Sequence, residues 1–246
     1  MKWFRADLHI HSVLSPCGDL DMGPVRIIEE AGRKKLDIIA LTDHNSALNC
    51  EIMSEMGKKA GITVIFGVEV NTREEVHCLT FFENLESLKK FQQFLDSSLP
   101  HITNKPEKFG HQLVVNEKEE ILEEIDKLLI VSLNRSIEEV EQKVHGLGGI
   151  FIPAHADRPV NGIFSQIGFI PETLQIDAIE ISSSASLSQM LNQRPEIAKY
   201  QVISNSDAHF PQQIGKRVTE YFMESATFDE WQKTLRKEGD RKIRIV

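Results

Sequence analysis

The chain has 246 residues, 41% of them hydrophobic, with 28 Lys and Arg against 37 Asp and Glu, a formal charge of −9. A chain of this size buries a full core without disulfides, and its three widely spaced cysteines, Cys17, Cys50 and Cys78, form no CxxC pair. This suggests neither a disulfide framework nor a structural zinc knuckle, and a reducing cytoplasm is expected. The acidity argues against long duplex nucleic acid or an anionic membrane as partner, no apolar run is long enough to span a bilayer, and the N-terminus enters a charged strand rather than a signal-peptide core.

The first predicted strand, WFRADLHI at residues 3–10, runs into DLHIHS at residues 7–12. Side chains on a strand alternate, so His9 and His11 share one face and Leu8 and Ile10 the other. Two converging imidazoles fit either a metal site or a hydrogen-bonded pair at a strand end. The helix MGPVRIIEEAGRKK, the strand LDIIALTD, the helix ALNCEIMSEMGKKAG and the strand ITVIFGVEV follow, both helices with lysine-rich ends suited to the C-terminal dipole. Such βαβα alternation predicts a parallel sheet or barrel with functional side chains at the C-terminal strand ends. Asp43 and His44 follow IIAL there, either as a ligand with a carboxylate beside it or as a helix cap with an incidental His. Glu69 stands among Val, Gly and Phe, where an ionised carboxylate needs a metal or a basic partner.

The strand VHCLTFF brings His77, which alone reads as a satisfied core histidine, and leads into the helix ENLESLKKFQQFLDSS. Residues 99–136 change texture: turn formers, a short apolar strand and an acidic amphipathic helix are predicted, as an inserted elaboration on the barrel or as a lid. Only as a lid would it bring His101 and His111 to the barrel mouth. The rhythm resumes with the helix IEEVEQKVHGLGG, whose His145 suits a helix C-terminus, the strand IFIPAH and a loop carrying His155 in PAHADRP. Then come the strand IDAIEIS, the helix SLSQMLNQ, the strand VISNSDAH with Asp207 and His209, the strand VTEYFM, the helix TFDEWQKTLRK and the strand RKIRIV. Asp-x-His at 207–209 repeats the spacing of His9 and His11. Six histidines, one Glu and one Asp, all ligands for zinc, manganese or iron, thus fall at strand ends that a closed barrel gathers.

The succession DLHIHS, TDHN, GVEV, VHCL, PAHADRP and SNSDAH closely resembles, over essentially the whole chain, the PHP family of polymerase and histidinol phosphatase metal-dependent phosphoesterases. The resemblance implies one α/β domain over residues 1–246, a distorted seven-stranded (β/α)7, TIM-like barrel, with two or three divalent metal ions at its C-terminal mouth. By the same resemblance His9 and His11 share a first metal with Glu69 and Asp207, while Glu69 bridges to a second held by His77 and His155. His44 and His209 hold a third, for which Asp19 in SPCGDLDMGP keeps the spacing to Pro24, with Cys17 and Asp21 as competitors.

The implied activity is hydrolysis of a phosphate ester by a metal-activated water with Glu69, Asp207 and His209 around it, on a small metabolite or a nucleotide or oligonucleotide end. No GxSxG elbow or GK[ST] loop offers another route, and the proton donor to the leaving group stays open between His209 and His155. Arg158 is the first candidate to grip a phosphate, or else it forms an ion pair with Asp157 or sits at the surface; Arg194, Lys216 and Arg217 come after it. Asp7 and Asp43 read as carboxylates that orient imidazoles, and Glu180 as an interior group or a structural salt bridge. Two other readings are a non-catalytic, metal-stabilised PHP module and a metal-dependent hydrolase of an amide or lactone. Composition leaves the oligomeric state open.

Overall fold

The computed structural model describes residues 1–182 and 184–246. Its elements are β1 (Lys2–Ile10), α1 (Pro24–Arg33), β2 (Ile38–Leu41), α2 (Cys50–Ala60), β3 (Thr63–Asn71), β4 (His77–Phe82), α3 (Leu85–Ser98), α4 (Pro106–Phe109), β5 (Leu113–Val115) and β6 (Ile121–Glu124). They continue with α5 (Ile137–Gly146), β7 (Ile150–Pro153), α6 (Ile163–Gln166), β8 (Ile179–Glu180), α7 (Ser184–Gln193), β9 (Val202–Ile203), β10 (Thr219–Met223), α8 (Phe228–Leu235) and β11 (Lys242–Ile245). Local chemistry sets several helix starts: Asn84 accepts the Ser87 N–H at α3, Thr227 accepts the Glu230 N–H at α8, and Ser136 with Glu139 forms a capping box at α5.

A seven-stranded sheet runs in the order β11-β10-β1-β2-β3-β4-β7, and β8 pairs with β9 beside it. Backbone bonds from Asp177 to Phe151 and from Ala156 to Glu180 join β7 to the β8 region, and bonds exchanged by Ala208 with His9 and His11 return the chain to β1. The sheet therefore curls into a distorted barrel. It is mixed rather than parallel: β1, β2 and β3 are parallel, whereas β4 is antiparallel to both β3 and β7. The reason lies between Asn71 and His77, where so short a connection can join only antiparallel neighbours.

Two apolar cores flank the sheet. Phe4, Ala6, Leu8, Ala40, Phe81 and Ile152 fill the concave interior around Trp231 of α8, whose ring meets Phe81 edge-on at 5.1 Å. Ile27, Met53, Leu88 and Phe91 seat the helices on the outer face. Leu8 belongs to the inner core and Ile10 to the outer one, so the expected simple alternation fails at the end of β1. The β1–β2 register slips between Asp7 and Ile10. Such an irregularity re-aims side chains, and here it sends Ile10 outward and frees His9 and His11 for the barrel mouth.

Residues 116–124 form a hairpin arm, not the expected acidic helix. Asn116 Oδ1 accepts the N–H groups of Lys118 and Glu120, Glu119 has φ +61°, and β6 pairs antiparallel with β5. Side-chain-to-backbone turn chemistry outweighs the helical spacing of the apolar residues. The 99–136 segment is tied to the barrel by Asn45, which donates to the carbonyls of Leu129 and Val131 at 2.7 and 2.8 Å. His101 and His111 are exposed, and His111 pairs with Glu124.

His145, in the last turn of α5, bonds Glu141 through Nδ1 at 2.5 Å and Asp177 through Nε2 at 2.9 Å. The Asp177 hydrogen bond, opposed by burial and helped by Glu141, raises its pKa above 6.5. A raised histidine stabilises the fold fully below its unfolded pKa, and that stabilisation disappears as pH rises through the folded value. His145→Gln is therefore expected to cost about 1 kcal/mol below pH 6.5. The difference from wild type should shrink at higher pH in denaturant titrations; a pH-independent difference would refute this.

Candidate metal centre

The mouth of the barrel is built around one carboxylate. Glu69, fully packed at the end of β3, has Oε1 at 3.2 Å from His9 Nε2, 3.0 Å from His77 Nδ1 and 3.1 Å from His155 Nε2. Its Oε2 lies 3.4 Å from His11 Nε2 and 3.1 Å from His44 Nδ1. Asp207 Oδ1 stands 3.3 Å from Nε2 of both His9 and His11, and His209 stacks on His11 with ring centroids 4.2 Å apart. Strand ends deliver His9, His11, Glu69 and His77, and short segments following β2, β7 and β9 deliver His44, His155, Asp207 and His209. His155 and Asp207 hold φ of +28° and +52°, a backbone region costly for residues with a Cβ and tolerated where surroundings over-determine it.

Outer partners set the faces of the rings. His9 Nδ1 is 3.1 Å from Glu180 Oε2, which directs Nε2 inward. His11 Nδ1 is 2.9 Å from Ser15 Oγ, and that hydroxyl donates to Asp43 Oδ1 at 2.7 Å. Ser15 thus accepts from His11, and Nε2 keeps its lone pair. Asp43 therefore orients an imidazole through a hydroxyl, a relay that sequence alone does not display because Ser15 is one of many serines. Asp7 does not meet an imidazole: it accepts the N–H groups of Ser206 at 3.0 Å and Gly215 at 2.8 Å, clamping the segment that carries Asp207. Burial, opposed by these bonds, lifts Asp7 to about 6. Glu180 takes the interior role, accepting also from the His155 N–H and Asn205 Nδ2 at 2.8 Å each.

The electrostatics are set by burial and by the mutual fields of the carboxylates and imidazoles. Burial disfavours a charged His9, yet Asp207, Glu180 and Glu69 outweigh it and hold its pKa well above 6.5. Burial, then the neighbouring His209, pulls His11 down to about 4, and burial takes His44 well below its usual value. Burial opposes ionisation of Glu69 and Asp207, but the surrounding imidazoles hold both well below the usual carboxylate range. Burial and the Glu69 and Asp207 carboxylates push the Cys17 thiol up.

A divalent cation fits this donor set. Nε2 of His9 and His11 and Nδ1 of His44 are buried without a hydrogen-bond partner, and each faces a carboxylate oxygen at 3.1–3.4 Å. Donors bound at roughly 2.0–2.1 Å around a tetrahedral ion stand about 3.3–3.4 Å apart, close to the observed separations. Ligand atoms of His9, His11 and Glu69 fall within 4.8 Å of one another, as do those of His44, Glu69 and His77 and those of His11, Cys17, His44 and His209. Asp19 is absent from these groups. Its Oδ1 accepts the Asp21 N–H and Asp21 itself is exposed, so that of the three residues Cys17 is the one grouped with His11, His44 and His209.

Arg158 Nη1 pairs with Asp207 Oδ2 at 2.5 Å, not with Asp157, whose carboxylate accepts the Ser182 N–H and Oγ–H. Arg158 and Arg194 line the same cavity of about 360 Å³, together with Phe164 and Met190. Arg194 lies over the Phe164 ring at 4.8 Å and donates to the Gly168 carbonyl. Lys216 and Arg217 do not line it.

A curled α/β barrel with a histidine–carboxylate cluster at its mouth defines a class, and the PHP domain matches residues 7–153 while the PHP-associated region matches 197–238. The chain belongs to the PHP family. Among its relatives, the uncharacterized protein YqxK of Bacillus subtilis is 27% identical over 99% of this chain and 64% of its own length. The lesion-specific endonuclease PfuEndoQ of Pyrococcus furiosus superposes with a TM-score of 0.75 at 23% identity, covering 98% of this chain and 57% of that one. Phosphoribosyl 1,2-cyclic phosphate 1,2-diphosphodiesterase of Eggerthella lenta is 29% identical over 26% of this chain and 24% of its own. The chain thus spans less than two thirds of the length of these relatives.

One expectation is overturned here. Endonuclease Q, with the same fold at a TM-score of 0.72 and 21% identity, is solved on a 27-mer duplex with an abasic lesion at its active site. The fold therefore accommodates a long duplex in that protein, and the acidity of this chain is no ground for excluding one, because net charge sums the whole surface whereas binding is decided by the local field. Among the described residues, no helix is long and apolar enough to cross a membrane.

Proposed function

We propose that the chain hydrolyses phosphate esters with the help of divalent metal ions. The observation that carries this reading is Glu69, one buried carboxylate ringed by nitrogens of five histidines at 3.0–3.4 Å. In this reading His9, His11, Glu69 and Asp207 would hold one ion, and Glu69 with His77 and His155 would hold a second. Zinc, manganese or iron bound there would polarise phosphoryl oxygens and acidify a water so that it ionises near neutral pH. Glu180 and the Ser15–Asp43 relay hold His9 and His11 through Nδ1 and so aim Nε2 of each inward, where a cation would take the place of the proton that the carboxylates favour on His9. A cation held there would share the charge of Asp207, and Arg158, which pairs with Asp207 Oδ2, is the guanidinium placed to contact a phosphoryl oxygen of the substrate.

The substrate is a phosphomonoester or phosphodiester whose remainder enters the cavity between Arg158 and Arg194, where Phe164 and Met190 add apolar surface. A nucleotide-like group, with a flat ring and negative charge, suits such a lining. The metal-loaded protein is expected to turn over members of a phosphomonoester and phosphodiester panel. Arg158→Ala should raise KM about tenfold or more, the worth of one charge-assisted hydrogen bond. No turnover of any phosphate ester by metal-loaded protein overturns the reading, and an unchanged KM removes Arg158 from it.

A further inference from the structure

We propose that Cys17 is a thiolate ligand of a further divalent cation, held together with His44 and His209, and that it makes this corner of the centre a zinc-type site. The proposal rests on the metal-dependent reading above. Cys17 Sγ and a ring nitrogen from each of His11, His44 and His209 lie within 4.8 Å of one another. One nitrogen serves one cation. His11 has Nδ1 on Ser15 and Nε2 toward Glu69 and Asp207, so it belongs to the first ion. His44 also groups with Glu69 and His77, its Nδ1 lying 3.1 Å from Glu69 Oε2, but His155 Nε2 at 3.1 Å from Glu69 Oε1 can complete that second set, which leaves His44 for the corner with Cys17 and His209. Cys17, His44 and His209 remain, three donors as in zinc sites that keep an open position.

The backbone holds the sulfur there. The Gly18 N–H donates to the Ser15 carbonyl at 2.9 Å, and the Asp19 N–H donates to the His209 carbonyl at 2.9 Å, so the Cys17 turn is stitched to the His209 segment. A Cβ on Gly18 would stand 2.5 Å from the Ser12 carbonyl oxygen, which reserves that position for glycine and keeps the turn tight. Cys50 and Cys78 are buried and join none of the donor groups among the described residues. Thiolate with imidazole favours zinc, whereas the Glu69 and Asp207 side accepts manganese or iron as readily. A coordinating thiol is deprotonated by the cation itself.

The test is a cobalt(II) titration of chelator-stripped full chain, read by absorbance. Wild type is expected to develop a thiolate-to-cobalt charge-transfer band in the near ultraviolet beside the visible ligand-field bands. Cys17→Ser and Cys17→Ala, checked for native far-ultraviolet circular dichroism, should lose the charge-transfer band and keep ligand-field bands from the other ions. One equivalent should bind about tenfold or more weakly in both. Ligand-field bands without a charge-transfer band in wild type, or a band that survives in both variants, overturn the assignment of Cys17 and leave the rest of the centre standing. No cobalt uptake at all overturns both the assignment and the metal-dependent reading.

Discussion

Glu69→Gln is expected to lower kcat/KM for a phosphate ester by about a thousand-fold or more, the rate equivalent of several kcal/mol of lost charge stabilisation. The substitution hardly changes size, yet it removes the negative charge shared by His9, His11, His44, His77 and His155. The amide also replaces one acceptor oxygen by an NH2 group with no lone pair to offer a cation, so neither of the ions that would share Glu69 is held properly. Metal content per chain should fall in parallel, measured on the same preparation. Activity within tenfold of wild type with full metal content would show that the carboxylate does not bridge.

Chelation is expected to produce the largest change in stability. A ligand present at a thousand times its dissociation constant stabilises the folded state by about 4 kcal/mol. For a chain of this length each kcal/mol moves Tm by roughly 2–4 °C, so stripping the metal should lower Tm by on the order of 10 °C. The physical source is visible in the inward nitrogens of His9, His11 and His44, which are buried with no hydrogen-bond partner and gain one only from a cation or a proton. Glu69→Gln should already have lost most of this increment, so its Tm should respond little to chelator. Equal Tm for stripped and loaded wild type would mean that the cluster is stable without cations.

Local patterns were enough to place most elements. The apolar run IIAL became β2, GVEV the end of β3 and TFDEWQKTLRK the span of α8, because burial at strand or helix period is a property of neighbouring residues. The helix expected after Asn116 failed for an equally local reason, a side chain that bonds its own backbone two and four residues on.

What the sequence by itself determined is the supply of chemistry: which residues can bind a cation, and that they stand at the ends of successive apolar strands. Tertiary structure decided how that supply is used. The register slip in β1 turns His9 and His11 to the mouth, Glu180 comes from a strand some 170 residues away to set the face of His9, and Arg158 finds Asp207 instead of its neighbour Asp157. Cys17 groups with His44 and His209 across a tight turn at Gly18, while Asp19 Oδ1 accepts the Asp21 N–H. Each of these depends on pairing between distant segments, whose register no short-range periodicity encodes.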